Sequence, residues 1–172
     1  NAEKLPEEIL CKIYNAADCT INISNNEGFG MGTLESLSCG TPIIAAWTGG
    51  MREQLANNID DPTEFYGVPL FPATKTVIGS PELPWINEDQ VSEEDLIEAL
   101  MFMYELGPEN RKNWGQRGLQ HVQTNFGWDN FNAYWPELFE RVHNEHSSWP
   151  NQKYERYRTE EVTCLQRYES TK

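Results

Sequence analysis

The fold is decided by the stretch CTINISNNEGFGMGTLESLSCG, residues 19–40. It begins with a short run rich in β-branched residues, Cys19–Ser24, which is typical of a strand. A glycine-rich loop follows at residues 25–32, and residues 33–39 have a helical pattern. That pattern ends at Gly40, which takes the position just after a helix where glycine is favoured. The stretch therefore predicts a strand, a glycine-rich loop and a helix in succession.

The flanking sequence continues the same alternation in both directions. Upstream, a helix is predicted over Pro6–Ala17, because its apolar residues recur at helical spacing. Downstream, Thr41–Trp47 indicates a second strand, Thr48–Gly50 interrupts it, and another helix begins at Arg52. This order implies parallel strands joined by right-handed crossovers. We therefore predict an α/β fold with a Rossmann-like parallel sheet flanked by helices.

The middle of the chain changes character. Residues 57–89 contain five prolines among short apolar runs, which predicts a long excursion with one or two short edge strands. A capped helix is predicted to begin at Ser92, and another helix is predicted over Asn110–Asn125 despite two internal glycines. The expected buried stripe of the helix after Ser92 consists of Leu96, Ile97, Leu100, Met101 and Tyr104.

The end of the sequence predicts a last amphipathic helix and an extension. The helix follows Gly127 and carries an aromatic stripe that we interpret as a core face. We place a main domain at residues 1–143 and a polar tail or docking helix at residues 144–172.

Composition excludes several classes of function. The 172 residues carry a net charge of −14, which argues against binding to nucleic acid or to an anionic membrane surface. No apolar run approaches the roughly 20 residues of a membrane-spanning helix. The four cysteines have neither a CxxC pair nor the dense spacing of a disulfide scaffold, and three lie in apolar segments where we expect free, small core residues. This cysteine usage favours a reducing, cytoplasmic setting.

The glycine-rich loop is the strongest chemical signal. In an open α/β sheet, ligands collect at the carboxyl ends of the strands, where the N-terminus of the following helix suits a phosphate or diphosphate. Glycines at positions 28, 30 and 32 would let the backbone approach such a ligand closely. The pattern is neither GxGxxG nor a P-loop, because no Walker lysine follows.

Two carboxylates near the loop refine this interpretation. Glu27 precedes the glycines, and Glu35 lies about one turn into the following helix. Carboxylates accept hydrogen bonds from vicinal hydroxyls, so the pair suits a ligand with phosphates in the middle and sugars at both ends. That description fits a nucleotide-sugar. The alternative is that Glu27 is a solvated loop residue and Glu35 an exposed helix residue.

The stretch Glu27–Glu35 resembles the E-x7-E motif of the retaining nucleotide-sugar glycosyltransferases with the GT-B fold. The similarity is strong from about Leu5 to Leu55, and weaker around Ser92 and the Phe126–Trp128 turn. It implies that the chain is a partial C-terminal lobe of such an enzyme, with a helical C-terminal extension. It also implies that the acceptor-binding N-terminal lobe and a basic pair that neutralises the diphosphate lie outside this sequence.

The resemblance also implies roles for individual residues. The donor sugar would be bound by Glu27, Phe29 and Gly30. The diphosphate would face Gly30, Met31, Gly32 and Thr33, and Thr33 would add a contact through its hydroxyl. Glu35 would bind the ribose, Gly49 and Gly50 would line the cleft, and Glu53 would brace the loop. The sequence departs from the family pattern at two positions: Gly32 stands where a larger apolar residue is common, and Trp47 where a small or acidic one is frequent.

The expected function is transfer of a sugar from a nucleoside-diphosphate-sugar to an acceptor, with retention of anomeric configuration. We assign no catalytic residue, because His121, His143 and His146 occupy helical or tail positions. No Asp-x-Asp pair or His/Cys cluster suggests a metal, and the nucleotide-sugar is a co-substrate, so no cofactor is predicted. Two alternatives stay open: a non-catalytic binding or assembly module derived from such a lobe, and, less favoured, a sugar-nucleotide epimerase.

Overall fold

The computed structural model describes residues 5–146. Its elements in chain order are α1 (Glu7–Ala16), β1 (Thr20–Asn22), α2 (Met31–Ser38), β2 (Ile43–Ala46), α3 (Met51–Leu55), β3 (Val68–Leu70), β4 (Thr74–Ser80), β5 (Leu83–Gln90), α4 (Glu93–Glu105), α5 (Gly107–Asn125) and α6 (Trp128–His146). Most of the tail predicted at residues 144–172 lies outside the described residues, and its first three residues belong to α6.

The sheet is parallel, as the sequence predicts. Its strand order is β1-β2-β3, with Thr20 opposite Ile43 and Ile44 opposite Val68. The central strand β2 is buried along its whole length, which explains its continuous apolar sequence. Pro69 lies in β3, at an edge of the sheet, where a missing N–H is tolerated.

The first strand is shorter than the predicted Cys19–Ser24. It ends at Asn22, whose side-chain Oδ1 accepts hydrogen bonds from the backbone N–H and the hydroxyl of Ser24. Such a bond from an asparagine to the residue two positions on replaces the pairing of an extended strand with a turn. Two residues, Ile23 and Ser24, therefore separate β1 from the glycine-rich loop.

Both faces of the sheet are covered. Because neighbouring residues of a strand point to opposite faces, Ile43 and Ile44 enter different clusters. The cluster around Ile43 includes Leu37 of α2, Leu55 of α3 and Val122 of α5. The cluster around Ile44 includes Leu70 together with the α4 residues Ala99 and Met103. The core is therefore a three-layer arrangement, with α2, α3 and α5 on one face of the sheet and α4 on the other.

The prediction for the buried face of α4 is wrong except at Leu96, which is half-buried and packs against the core. The helix begins at Ser92 as predicted, and the Ser92 hydroxyl accepts a hydrogen bond from the Asp95 N–H at 3.0 Å. Its buried residues, however, are Ala99 and Met103, whereas Tyr104 is 77% exposed. The exposed apolar residues of α4 are Ile97, Leu100, Met101, Phe102 and Tyr104. The apolar positions surround most of the helix, so their spacing alone could not select the face that meets the sheet.

Helix α5 confirms the helix predicted over 110–125, and its glycines have a packing role. A β-carbon at Gly115 would lie 1.8 Å from the carbonyl oxygen of Gly40, and one at Gly118 would lie 2.6 Å from Cδ2 of Leu37. Gly40 has a positive φ of 70° just after α2, as predicted. The two glycines therefore allow α5 to approach the end of α2 at backbone distance.

The excursion over residues 57–89 holds more regular structure than predicted. Besides β3 it contains the antiparallel hairpin β4–β5, which forms a sheet of its own. The Ala73 N–H donates to the Gln90 carbonyl at the base of the hairpin, and the Asp89 N–H donates to the Asn25 carbonyl at 2.7 Å. The Asn26 side chain also donates to the Asn87 carbonyl. The hairpin is thus attached to the start of the glycine-rich loop.

The chain divides into two compact units, Asn1–Asn130 and Phe131–Lys172. Of the second unit the structure describes residues 131–146, in which the rings of Phe131, Trp135 and Phe139 follow one another at centroid distances of 5.8 and 5.5 Å. The prediction that this stripe is a core face is wrong, because α6 has no buried residue over its described length. Among the helices of residues 5–146, none has the length and apolar character needed to cross a membrane.

Candidate functional site

Two loops meet at the carboxyl edge of the parallel sheet. One follows β1 and contains Glu27–Gly30, and the other follows β2 and contains Thr48–Gly50. The Gly50 N–H donates a hydrogen bond of 2.8 Å to the Gly28 carbonyl, which joins the two loops through their backbones. The structure therefore brings the predicted cleft residues Gly49 and Gly50 next to the predicted sugar-binding residues. This edge is where ligands bind in open α/β sheets.

Glycine is required at two positions of these loops. Gly49 has a φ of 51°, and a β-carbon there would lie 1.6 Å from the carbonyl oxygen of Glu27. Gly30 has a φ of 86°, and a β-carbon there would lie 2.5 Å from Cγ of Met51. Side chains rarely adopt such backbone conformations, and no space exists for them here. The shape of the cleft wall therefore depends on these two glycines.

The first turn of α2 faces the same edge with unpaired backbone donors. The N–H groups of Thr33 and Leu34 both donate to the carbonyl of Gly30, the residue before the helix. Met31 and Gly32 precede these bonds, so their N–H groups are the donors that an N-terminus leaves for a ligand. Unpaired donors and the positive end of the helix dipole together suit an anion such as a diphosphate.

Glu35 lies one turn further along α2, where Tyr14 of α1 holds it. The Tyr14 hydroxyl donates to Oε2 of Glu35 at 2.9 Å, and the carboxylate is half-buried. Burial, and then the hydrogen bond to Glu35, raise the pKa of Tyr14 to about 12. Tyr14 therefore stays protonated near neutral pH and donates its hydrogen bond continuously.

Glu27 and Phe29 form the outer part of the loop after β1. Glu27 is half-buried, with its Cγ 3.5 Å from where a β-carbon of Gly30 would lie. Phe29 is 49% exposed, and its ring meets the edge of Phe126 at a centroid distance of 6.4 Å. Both side chains are accessible beside the amides of the loop.

The Thr33 side chain points into the interior of the protein. It is fully buried, its hydroxyl accepts a hydrogen bond from Asn22 at 3.1 Å, and it donates to the sulfur of Met51 at 3.2 Å. The hydroxyl contact with the diphosphate that the resemblance implies for Thr33 is therefore not available from this side-chain position. Thr33 instead joins β1, α2 and α3.

The loop is braced by Gln54, not by Glu53. Gln54 is fully buried and donates from Nε2 to the Phe29 carbonyl at 2.6 Å, whereas Glu53 is exposed. Sequence reasoning missed this residue, although a signal was present, since Gln54 shares its helix with the buried Met51 and Leu55. A polar side chain within such an apolar face needs a specific partner.

His121 belongs to the packing of α5 and not to this cleft. Its Nε2–H donates to the Glu53 carbonyl at 3.1 Å, its Nδ1 accepts from Asn125 at 2.9 Å, and its ring stacks on Tyr66. Burial lowers its pKa below the ordinary value. The neutral ring satisfies both nitrogens, as expected for a structural histidine.

We expect acid to destabilise the protein through His121. The histidine has a pKa of about 6.5 when unfolded and a lower one when folded, so its contribution to stability is complete above pH ~6.5 and is lost as the pH falls below that value. Urea unfolding of the wild type and His121→Gln at pH 7.5 and pH 5 would measure this. The wild type should lose more stability than the variant, and an equal loss would contradict the assignment.

No group of three or more histidine, cysteine, aspartate or glutamate side chains that could hold a metal occurs in the described part of the chain. Arg52 is a cationic side chain next to the loop after β2, where its Nε donates to the Gly49 carbonyl at 3.1 Å. The site is therefore built from glycine loops, a helix N-terminus and two carboxylates.

The first part of the sequence is similar to known proteins. Residues 3–65 match the family described as Glycosyl transferases group 1. D-inositol 3-phosphate glycosyltransferase of Streptosporangium roseum is 46% identical over 54 residues, or 31% of this chain and 12% of that protein. The protein of the same name from Thermomonospora curvata is 49% identical over 47 residues, or 27% of this chain and 11% of that protein. These matches thus cover little more than a tenth of each relative.

A solved structure has a similar fold. Sucrose-phosphate synthase from Thermosynechococcus elongatus aligns with 84% of this chain and 30% of its own, with a TM-score of 0.61 and 22% identity. The predicted fold class, a parallel α/β sheet flanked by helices as in part of a GT-B glycosyltransferase, is confirmed. The match of residues 3–65 confirms the predicted resemblance to glycosyltransferases. The retaining reaction and the roles of the E-x7-E residues stay predictions.

Proposed function

We propose that this chain is the nucleotide-sugar-binding part of a glycosyltransferase that moves a sugar from a nucleoside diphosphate to an acceptor. The observation that carries the proposal is the junction of the two glycine loops at the N-terminus of α2, with Glu35 held one turn away by Tyr14. The glycosyl transferases group 1 segment at residues 3–65 spans this junction and supports it.

The diphosphate would lie against the start of α2. The amides of Met31 and Gly32 would donate to its oxygens, and the helix dipole would favour its negative charge. Charge develops on the diphosphate as the bond to the sugar breaks, so donors fixed before the reaction would stabilise the transition state. Because Gly30 and Gly49 have no side chains, the two loops pack closely together and form the wall of the cleft with their backbones.

The two carboxylates would bind the two sugars of the donor. Tyr14 takes up Oε2 of Glu35, which leaves Oε1 to accept a hydrogen bond from a ribose hydroxyl. Glu27, with Phe29 beside it, would accept hydrogen bonds from the transferred sugar. The same hydroxyl-bearing ligand thus explains why two anionic residues flank an anion-binding helix end.

The acceptor would be bound by an N-terminal lobe of a longer protein. We propose that a hexosyl-type sugar is transferred with retention of configuration, on the basis of the E-x7-E resemblance. We assign no nucleophile or general base to this chain. Metal independence also stays a prediction.

We expect Glu35→Gln to weaken nucleotide binding in the intact protein. A thermal-shift panel of nucleoside diphosphates and their sugars would first identify the donor, because a bound ligand stabilises the folded protein. The variant should then bind that donor about 10- to 100-fold more weakly, since a hydrogen bond to a charged group contributes roughly 1.5–3 kcal/mol. Isothermal titration would measure the affinity, and NMR of the product would give its anomeric configuration.

Glu53→Gln is the matched control, because Glu53 is an exposed carboxylate near the same loops. It should bind the donor like the wild type. Tyr14→Phe should lose less donor affinity than Glu35→Gln, because it removes the hydrogen bond that holds the carboxylate but leaves the carboxylate itself in place. The ribose assignment would be refuted if Glu35→Gln and Glu53→Gln bound the donor equally well. A panel in which no nucleoside diphosphate stabilised the intact protein would refute the proposed function itself.

A further inference from the structure

Two cysteines from different helices lie next to each other. Sγ of Cys11, on α1, is 3.7 Å from Sγ of Cys39, the residue directly after α2. Cys11 is exposed and Cys39 is half-buried. The remaining described cysteine, Cys19, is half-buried and donates from its thiol to the Thr20 carbonyl.

The surroundings give the two thiols different roles. The Asn15 side chain donates hydrogen bonds to the sulfur of Cys11, at 3.2 Å, and to its carbonyl. The thiol of Cys39 donates to Cys11, and burial and this neighbour raise the pKa of Cys39 to about 11. Cys11 is therefore the thiol that an external reagent reaches first, and Cys39 is positioned to react with Cys11 afterwards.

We propose that Cys11 and Cys39 form a reversible disulfide on exposure to a low-molecular-weight disulfide such as oxidised glutathione. The Cys11 thiolate attacks one sulfur of the reagent, whose S–S bond breaks and releases one reduced thiol. Cys39 then loses its proton to water and attacks Sγ of Cys11, which breaks the mixed disulfide and releases the second reduced thiol. Two protein thiols are oxidised and one reagent disulfide is reduced.

The required movement is small. The sulfur atoms must approach from 3.7 Å to the bond length of about 2.05 Å, which rotations of two side chains at a helix surface can supply. The bond would join α1 to α2 beside the contact of Tyr14 with Glu35. Cys11 and Tyr14 are three residues apart on α1, so they lie on one face of that helix. Glu35 and Cys39 are four residues apart at the end of α2. The disulfide and the Tyr14–Glu35 hydrogen bond would therefore join the same two helix faces.

The cross-link would enclose the chain between the two cysteines, which includes β1 and the glycine-rich loop. A covalent ring restricts the unfolded chain more than the folded one and raises thermal stability. The proposal is independent of the nature of the ligand in the cleft. It changes the expectation from cysteine usage that these thiols stay free.

The test is incubation of the intact protein with oxidised glutathione, alkylation of the remaining thiols, and mass spectrometry of a non-reduced digest. We expect a peptide pair joined through Cys11 and Cys39 in most molecules, a melting temperature raised by about 5 °C, and reversal by dithiothreitol. Cys39→Ser should retain one glutathione on Cys11, Cys11→Ser should leave Cys39 unmodified, and Cys19→Ser should behave like the wild type.

Three results would overturn the proposal. In the first, the wild type keeps glutathione on Cys11 and forms no cross-link. In the second, Cys11 pairs with Cys19 or Cys164 instead of Cys39. In the third, no cysteine of the wild type reacts while a small model thiol in the same solution does.

Discussion

Replacing Gly49 with alanine is expected to destabilise the protein by about 3 kcal/mol and to eliminate measurable nucleotide binding. The new β-carbon would lie 1.6 Å from the Glu27 carbonyl oxygen, a backbone atom that cannot move without the whole loop. The φ of 51° at this position adds strain that alanine cannot relieve locally. The two loops would have to separate, which would displace the amides and the carboxylate of Glu27 together.

Gly28→Ala is the matched control for this prediction. Gly28 lies in the partner loop, and a β-carbon there would meet no atom within 4 Å. The free energy of unfolding of this variant should lie within about 0.5 kcal/mol of the wild-type value, as expected of a surface substitution. Thermal unfolding with and without the donor would separate the two effects. If Gly49→Ala and Gly28→Ala proved equally stable, the close contact of the loops would not exist.

Gly115→Ala should have the second-largest effect on stability. We expect it to destabilise the protein, although helix propensity alone would favour alanine. Alanine in a helix interior is favoured over glycine by about 1 kcal/mol. At position 115, however, the β-carbon would lie 1.8 Å from the Gly40 carbonyl oxygen, so α5 would have to move away from α2. We expect a net loss of about 2–3 kcal/mol in the free energy of unfolding, measured in urea.

Asn113→Ala tests the propensity effect alone. Asn113 is exposed on the same helix, and alanine there should leave the stability unchanged or raise it by roughly 0.5 kcal/mol. A stabilised Gly115→Ala protein would show that α5 and α2 are not in backbone contact. Stabilisation by Asn113→Ala together with destabilisation by Gly115→Ala would establish that packing, not propensity, selects glycine at this position.

The sequence was sufficient for the parts of the fold that local patterns determine. The apolar run of β2, the glycines around α2 and the Ser92 cap act over a few residues, so their elements could be predicted. The face of α4 could not, because Ala99 and Met103 are buried by their fit to β2 and β3 rather than by their own hydrophobicity. Gly115 and Gly118 lower the helix propensity of α5, yet they are the residues that allow it to pack against α2.

The candidate site was predictable in position but not in its internal bonds. Glu27, Glu35 and the loop glycines stand close together in sequence, and the parallel topology places the second loop beside them. The Tyr14–Glu35 and Gln54–Phe29 bonds join residues 21 and 25 positions apart, and no local pattern specifies such pairs. Side chains that orient a site from neighbouring helices therefore require the tertiary structure.

The β4–β5 hairpin has a consequence for how the protein fluctuates. Its ladder from Thr74 to Gln90 consists of contacts between residues close in sequence, and the hairpin joins the loop after β1 through Asn25 and Asn26. A unit built from local contacts can open and close without unfolding the sheet. Each opening would release the anchor at Asn25, two residues before Glu27. Because the hairpin is a sheet of its own, a local opening of it would reach the loop of Glu27 without breaking any bond between β1, β2 and β3.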